Sequence, residues 1–228
     1  MDAVRTFVRG TGQLLITVGL VVLLFCLYEL QVTGYYTKDQ QNGLEQQFDQ
    51  PLPTAAQLAG PGGRAVPPVV PLGNALARIW IPRLGRDYHY VVVEGVSVED
   101  LKKGPGHYPG TALPGALGNS VISGHRTTYL APFSRLDVLR DGDAIVVETR
   151  TSWFTYRMTG RQVVAPTAIE VTYPVPGRRG SAPTQHLLTL TTCNPKYSAR
   201  QRLVVRGQLE DSLAKATGRR PPALPGGV

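Results

Sequence analysis

The pattern of apolar and polar positions divides the chain into stretches of different character. The first is a run at 14–27, apolar throughout except for Thr17 and Gly19, with Arg5 and Arg9 ahead of it and Glu29 and Gln31 behind. With its flanks, 11–33, it approaches the ~20 residues that cross a bilayer, which predicts a transmembrane signal-anchor. The two arginines place residues 1–10 in the cytoplasm, so that everything after the span lies outside the cell. The unbroken part is also the size of a secretory h-region, and Val32-Thr33-Gly34 puts small residues at cleavage positions. A removed signal peptide is therefore the other reading of the same run. Residues 34–76 show no apolar period. Gln40-Gln41-Asn42, Pro51-Leu52-Pro53, Gly60-Pro61-Gly62-Gly63 and Pro67-Pro68 predict a flexible linker, because such a stretch buries too little surface to offset its ordering entropy.

Between 77 and 210 the period changes to short alternating runs. Arg78-Ile79-Trp80-Ile81 alternates and stops at Pro82. Similar strand signals follow at 89–93, 121–123, 144–147, 153–158, 162–164, 186–192 and 202–205. Only short helices fit, at 98–102 and 133–139. Closely spaced strands of this kind predict a mainly β domain, a barrel or sandwich built on a single core. The tail at 211–228, with Arg219-Arg220-Pro221-Pro222 and Pro225-Gly226-Gly227, is expected to be disordered.

Charge changes this picture little. The chain has 24 Lys+Arg against 16 Asp+Glu, a formal net charge of +8. The basic residues are scattered and no nucleic-acid motif is present, so nucleic acid is excluded as a partner. A basic exported protein suits an anionic membrane and cell wall. No acidic cluster or Cys/His spacing predicts a metal, and no cofactor is expected.

The chemistry concentrates at the end of one strand. Of 2 cysteines, Cys26 lies in the apolar run and reads as a membrane-helix residue. The other closes Thr189-Leu190-Thr191-Thr192-Cys193, a strand stopped by Asn194-Pro195. An exported thiol with no partner in its compartment is a reactive group or an intermolecular link, against the alternative of an inert buried thiol. The strand at 202–205 would return Arg202 beside Cys193, and a neighbouring guanidinium favours the nucleophilic thiolate. Arg200 shares strand parity with Arg202.

A cysteine enzyme also needs a proton donor for the leaving group, and histidine serves best near neutral pH. His89 reads as a packed or solvated strand residue. His186 begins the cysteine strand, roughly 20 Å from Cys193 at ~3.3 Å per residue, and is excluded as a direct partner. His107 sits in a glycine- and proline-shaped loop, where a substrate contact and a structural role are both open. His125 follows the strand at 121–123 and Gly124, the same strand-exit placement as Cys193. If those strands are neighbours, both side chains open on one end of the barrel.

These segments resemble a known family. Thr189-Leu190-Thr191-Thr192-Cys193, Arg202 nine residues on, and Ser123-Gly124-His125-Arg126 upstream are similar to the signature segments of sortases, membrane-anchored cysteine transpeptidases of Gram-positive bacteria. Gly104-Pro105-Gly106-His107-Tyr108-Pro109-Gly110-Thr111, Gly118-Asn119, Thr127-Thr128-Tyr129 and Cys193-Asn194-Pro195 resemble the class E sortases of actinobacteria. The resemblance implies a closed eight-stranded β-barrel at 77–210 and an uncleaved anchor. It implies that Cys193 attacks the Thr carbonyl of a C-terminal Leu-Ala/Pro-x-Thr-Gly signal on a surface protein. His125 would protonate the departing glycine amine, and Arg202 would bind the substrate backbone and developing oxyanion. An amine of a lipid-linked peptidoglycan precursor would resolve the thioester. Tyr108, Thr191, Thr192 and Tyr129 are expected to contact substrate or shape its pocket. Two other readings differ in class. An L,D-transpeptidase or papain-like peptidase would set its cysteine in another local context. A wall-binding barrel would carry an inert thiol.

Overall fold

Alternation of apolar and polar residues produces β1 (Ala75–Trp80), β2 (His89–Glu94), β3 (Gly106–His107), β4 (Gly118–Ser123), β5 (Ala144–Glu148), β6 (Ser152–Val164), β7 (His186–Asn194) and β8 (Gln201–Ala214). They close into a barrel in the order β1-β2-β3-β4-β7-β8-β6-β5, the eight-stranded closure expected from the sequence. The structure is a computed structural model that describes residues 2–51 and 70–227. Most neighbours are antiparallel; β2–β3 and β4–β7 are parallel. Ile79, Ile122, Val147, Leu188, Leu190 and Val205 fill the interior. Because successive strand residues face opposite sides, this leaves Thr189, Thr191 and Cys193 on the outer face of β7.

The structure departs from the sequence reading in several elements. Residues 133–139 form no α-helix, only a 3-10 turn at Leu136–Val138. Phe133, Leu136 and Leu139 are all fully buried, and a spacing of three matches the 3-10 period rather than 3.6. The runs at 153–158 and 162–164 are one strand, β6, whose register shifts between Met158 and Gly160. The glycine takes up that bulge. The helix at 98–102 is present as α2 (Val98–Lys103, with α1 described below). It starts at a capping box in which the Ser97 hydroxyl accepts from Asp100 N and the Asp100 carboxylate accepts from Ser97 N.

Both chain ends are more ordered than expected. The helix α1 runs from Asp2 to Asp49, through the apolar run and well into the expected linker. Its apolar residues at 14–27 are exposed. Its last turns pack on β1, β2 and α2 through Thr37, Gln41, Leu44 and Phe48, one helical face at spacings of four and three. Leu44 and Phe48 join Ala75, Val91 and Val93. Gln41 Nε2 donates to Val91 O at 3.1 Å and Lys103 O at 2.8 Å, and Oε1 accepts from Val91 N at 2.8 Å. Half of the stripe is polar, which hides it from a search for apolar period. Residues 52–69 of the expected linker lie outside the described residues. The tail is likewise tied down. Through Ser152↔Ala214 it stays paired with β6, and Leu224 packs with Val146 and Trp153.

Candidate active site

The register of the barrel brings the candidate residues to one end. In β7–β8, Cys193 lies opposite Arg202. In the parallel pair β4–β7, Ser123 lies opposite Thr191, so His125 and Cys193 each stand two residues beyond matched positions. The two exits are stitched together. Gly124 N donates to Thr191 O at 3.1 Å, and Thr192 Oγ1 donates to Gly124 O at 2.8 Å. A side chain at 124 would meet Phe133 Cδ2 at 2.7 Å, so glycine is required for this close approach, and Phe133 N in turn donates to His125 O at 3.0 Å. Arg200 lies exposed in the connection before β8, leaving Arg202 as the arginine in register with the thiol.

Cys193 is partly exposed and unpaired. Burial holds His125 below its ordinary value of 6.5, so the neutral imidazole predominates at neutral pH. The ring leans on Tyr129, centroids 4.9 Å apart. Tyr129, Leu130 and Ala131 all have positive φ, at 52, 60 and 45°, a strained run for residues with a Cβ. Tyr90 Oη donates to Leu130 O at 3.3 Å and Tyr88 Oη to Pro132 O, holding this wall of the site in place.

Arg202 Nη1 donates to Ala199 O at 2.9 Å and Gln201 O at 3.0 Å. Its Nε and Nη2 make no hydrogen bond among the described residues and are free for a ligand. Beside it is a cavity of about 140 Å³ lined by Tyr108, Val164, Ile169, Thr191, Arg202 and Val204. The Tyr108 and Thr191 expectations thus fall on one cavity with Arg202. Thr192 does not line it: this residue is 1% exposed and its hydroxyl is used on Gly124 O. A barrel position facing inward, next to an outward Thr191, accounts for the difference.

The other histidines have structural roles. His107 is 1% exposed, with Nδ1 2.7 Å from Glu94 Oε2 and Nε2 3.0 Å from Ala112 O, supporting the loop that carries Tyr108. His89 stacks on Trp80, and His186 Nδ1 sits 2.9 Å from Gly115 O at the far end of β7. Arg126, quoted above only as part of a motif, belongs to the site. It is buried, donates through Nη1 to Cys193 O at 3.2 Å and to Asn194 Oδ1, and pairs through Nη2 with Asp137 at 3.3 Å. Its adjacency to His125 was the available signal. Asp137, which looks like a solvated surface acid in the sequence, is its partner.

A β-barrel with a thiol, an imidazole and an arginine at one strand end defines a cysteine acyl-transfer architecture. The chain belongs to the sortase family: the Sortase domain profile matches residues 79–210. Sortase SrtE1 of Streptomyces coelicolor is 33% identical over 95% of this chain, which spans 60% of the length of that relative. Sortase SrtE2 of the same organism is 29% identical over 92% of this chain and 85% of its own length. Among solved structures, sortase E of Streptomyces avermitilis is 42% identical with a TM-score of 0.61, covering 68% of this chain and 99% of that one. SrtF of Corynebacterium diphtheriae has a TM-score of 0.66 at 33% identity, covering 68% and 94%. These likenesses support class E within the family.

Proposed function

We propose that this chain is a membrane-anchored cysteine transpeptidase that cuts a Leu-Ala/Pro-x-Thr-Gly signal between Thr and Gly. The observation that carries this reading is the register of β7, with Cys193 opposite Arg202 on β8 and with His125 and Cys193 each two residues beyond the Ser123–Thr191 pair. In this reading His125 takes the Cys193 thiol proton as Sγ attacks the Thr carbonyl carbon, and the free N–H groups of Arg202 receive the oxyanion that develops. The C–N bond breaks as His125 passes a proton to the glycine nitrogen, leaving a thioester. An acceptor amine attacks that thioester and loses its proton to His125, and the thiolate departs. The acceptor is an amine of a lipid-linked peptidoglycan precursor. Sortase E1 of Streptomyces coelicolor has been solved with a tripeptide in its active site, which supports a peptide ligand.

Tyr108 and Thr191 contact the acyl side of the substrate in this reading, and Tyr129 acts through the His125 ring. The helix α1 is long and apolar enough to cross a membrane, with Arg5 and Arg9 on the cytoplasmic side and the barrel outside. The test is transfer of a Leu-Ala-x-Thr-Gly reporter to an amine. Cys193→Ala should abolish it, and His125→Ala and Arg202→Ala should each lower kcat/KM by about 10²–10⁴. Undiminished transfer by Cys193→Ala would end the proposal.

A further inference from the structure

The outer face of β7 and β8 does not end at the cavity beside Arg202. Leu203 and Val205 point inward, so Arg202, Val204, Arg206 and Gln208 all face outward on β8. Opposite them on β7 lie Cys193, Thr191, Thr189 and Leu187. The first two rows form the catalytic end and the small apolar cavity. The next two rows open into a second cleft of about 460 Å³, between the barrel and the connection from β6 to β7. Its polar lining includes Arg178, Gln185, Thr189, Arg206 and Gln208, and no carboxylate lines it.

Neither arginine of this cleft has a side-chain partner among the described residues. Arg206 Nε is buried with no hydrogen-bond acceptor, a condition that costs stability unless a ligand relieves it. Arg78 and Arg126 also leave Nε without an acceptor, but each has a carboxylate partner, Glu45 and Glu148 for Arg78 and Asp137 for Arg126. The half-buried Arg206 has none among the described residues. A guanidinium pair without counter-charge, at a concave surface, is suited to a carboxylate.

The position of the cleft identifies which carboxylate. Thr189 is four residues from Cys193, roughly 13 Å at ~3.3 Å per residue. On the proposed sorting function, the signal Thr sits at Cys193. Its Leu, three residues earlier, reaches roughly 10 Å away, where Val164, Ile169 and Val204 supply an apolar wall. The one or two residues before that Leu then fall at the Arg206 row. We infer that the Arg178–Arg206 cleft is an additional recognition subsite that selects client proteins carrying Asp or Glu immediately upstream of the sorting signal. This rests on the sorting reading and adds a determinant outside the pentapeptide.

The test uses the full chain in detergent with Cys193→Ala, so that binding is read without turnover. Two fluorescent peptides share the same Leu-Ala-x-Thr-Gly core and differ only in the two preceding residues, Glu-Glu or Gln-Gln. The acidic peptide should bind roughly three- to tenfold tighter at low salt, with the advantage shrinking as ionic strength rises. Adding R206Q or R178Q should reduce the advantage below about twofold while leaving the Gln-Gln affinity unchanged. Arg178 is exposed, so R178Q reads the cleft without disturbing the fold. Equal affinities in the parent, or an advantage that survives the double substitution, would overturn the subsite. Cleavage of the Gln-Gln peptide by the unaltered chain is the separate check on the sorting reading.

Discussion

Arg126 ties together the residues proposed to react. Its neighbour in sequence is His125, its Nη1 holds the backbone carbonyl of Cys193, and its Nη2 reaches Asp137 on the segment that follows the histidine. A single fork thus fixes the thiol's strand end against the imidazole's, a positioning role rather than a catalytic one. Arg126→Lys keeps the charge but cannot span three oxygens in fixed directions. It should lower kcat on the order of tenfold, and Arg126→Gln on the order of 10²-fold, with KM for the sorting peptide nearly unchanged. A parallel rise in KM, or loss of activity only in step with loss of folded protein, would show a general structural role instead. At this scale the sequence singled out Cys193, His125 and Arg202 as candidates because strand exits are marked by Gly124 and Asn194-Pro195. Arg126 stayed hidden because a side chain that bonds to backbone leaves no pattern of spacing.

At the scale of elements, the legible parts were those with period two. Every strand signal fell on a strand, two of them in the single β6, whereas β3 is a two-residue bridge and the 133–139 segment followed a period of three that looks helical when read quickly. The largest departure is the end of α1. Thr37, Gln41, Leu44 and Phe48 make a stripe that a hydrophobic count scores as half empty, yet the polar half satisfies backbone groups of β2 and α2. Around it Arg78 links Glu45 to Glu148, and His89 Nε2 lies 3.4 Å from Glu45. The hydrogen bond that His89 donates to the Glu45 carboxylate raises His89 above 6.5 despite its partial burial. That contribution is therefore full below pH 6.5 and is lost as pH rises through the folded-state value. A chain beginning at residue 70 exposes Val91 and Val93 and loses this network. It should melt well below one beginning at 33, and Phe48→Ala in the longer chain should cost about 3 kcal/mol. Equal melting temperatures for the two chains would show that the helix is an accessory. The gap between them should narrow above neutral pH, as His89 gives up its proton.

The clamp has a consequence for the whole molecule, because α1 is one helix from the apolar run to the barrel. At ~1.5 Å per residue the whole helix is about 70 Å long, and a continuous helix between the span and the barrel transmits rotation as well as distance. If 11–33 crosses the bilayer, the face of the barrel that carries Cys193 is set at a fixed azimuth and height above the surface where the proposed lipid-linked acceptor would reside. A flexible tether, the expectation from sequence, would impose neither. Insertions between the apolar run and Thr37 separate the two arrangements. Each added alanine turns the barrel by about 100° about the helix axis, and seven return it to nearly the same face some 10 Å farther out. Two alanines should therefore depress attachment of a reporter to cells by several-fold, seven should restore part of it, and cleavage of a soluble peptide should be unchanged in both. Attachment that falls smoothly with length, with no recovery at seven, would mean that the helix sets distance alone. Attachment indifferent to every insertion would mean that the barrel reaches its acceptor without a fixed orientation.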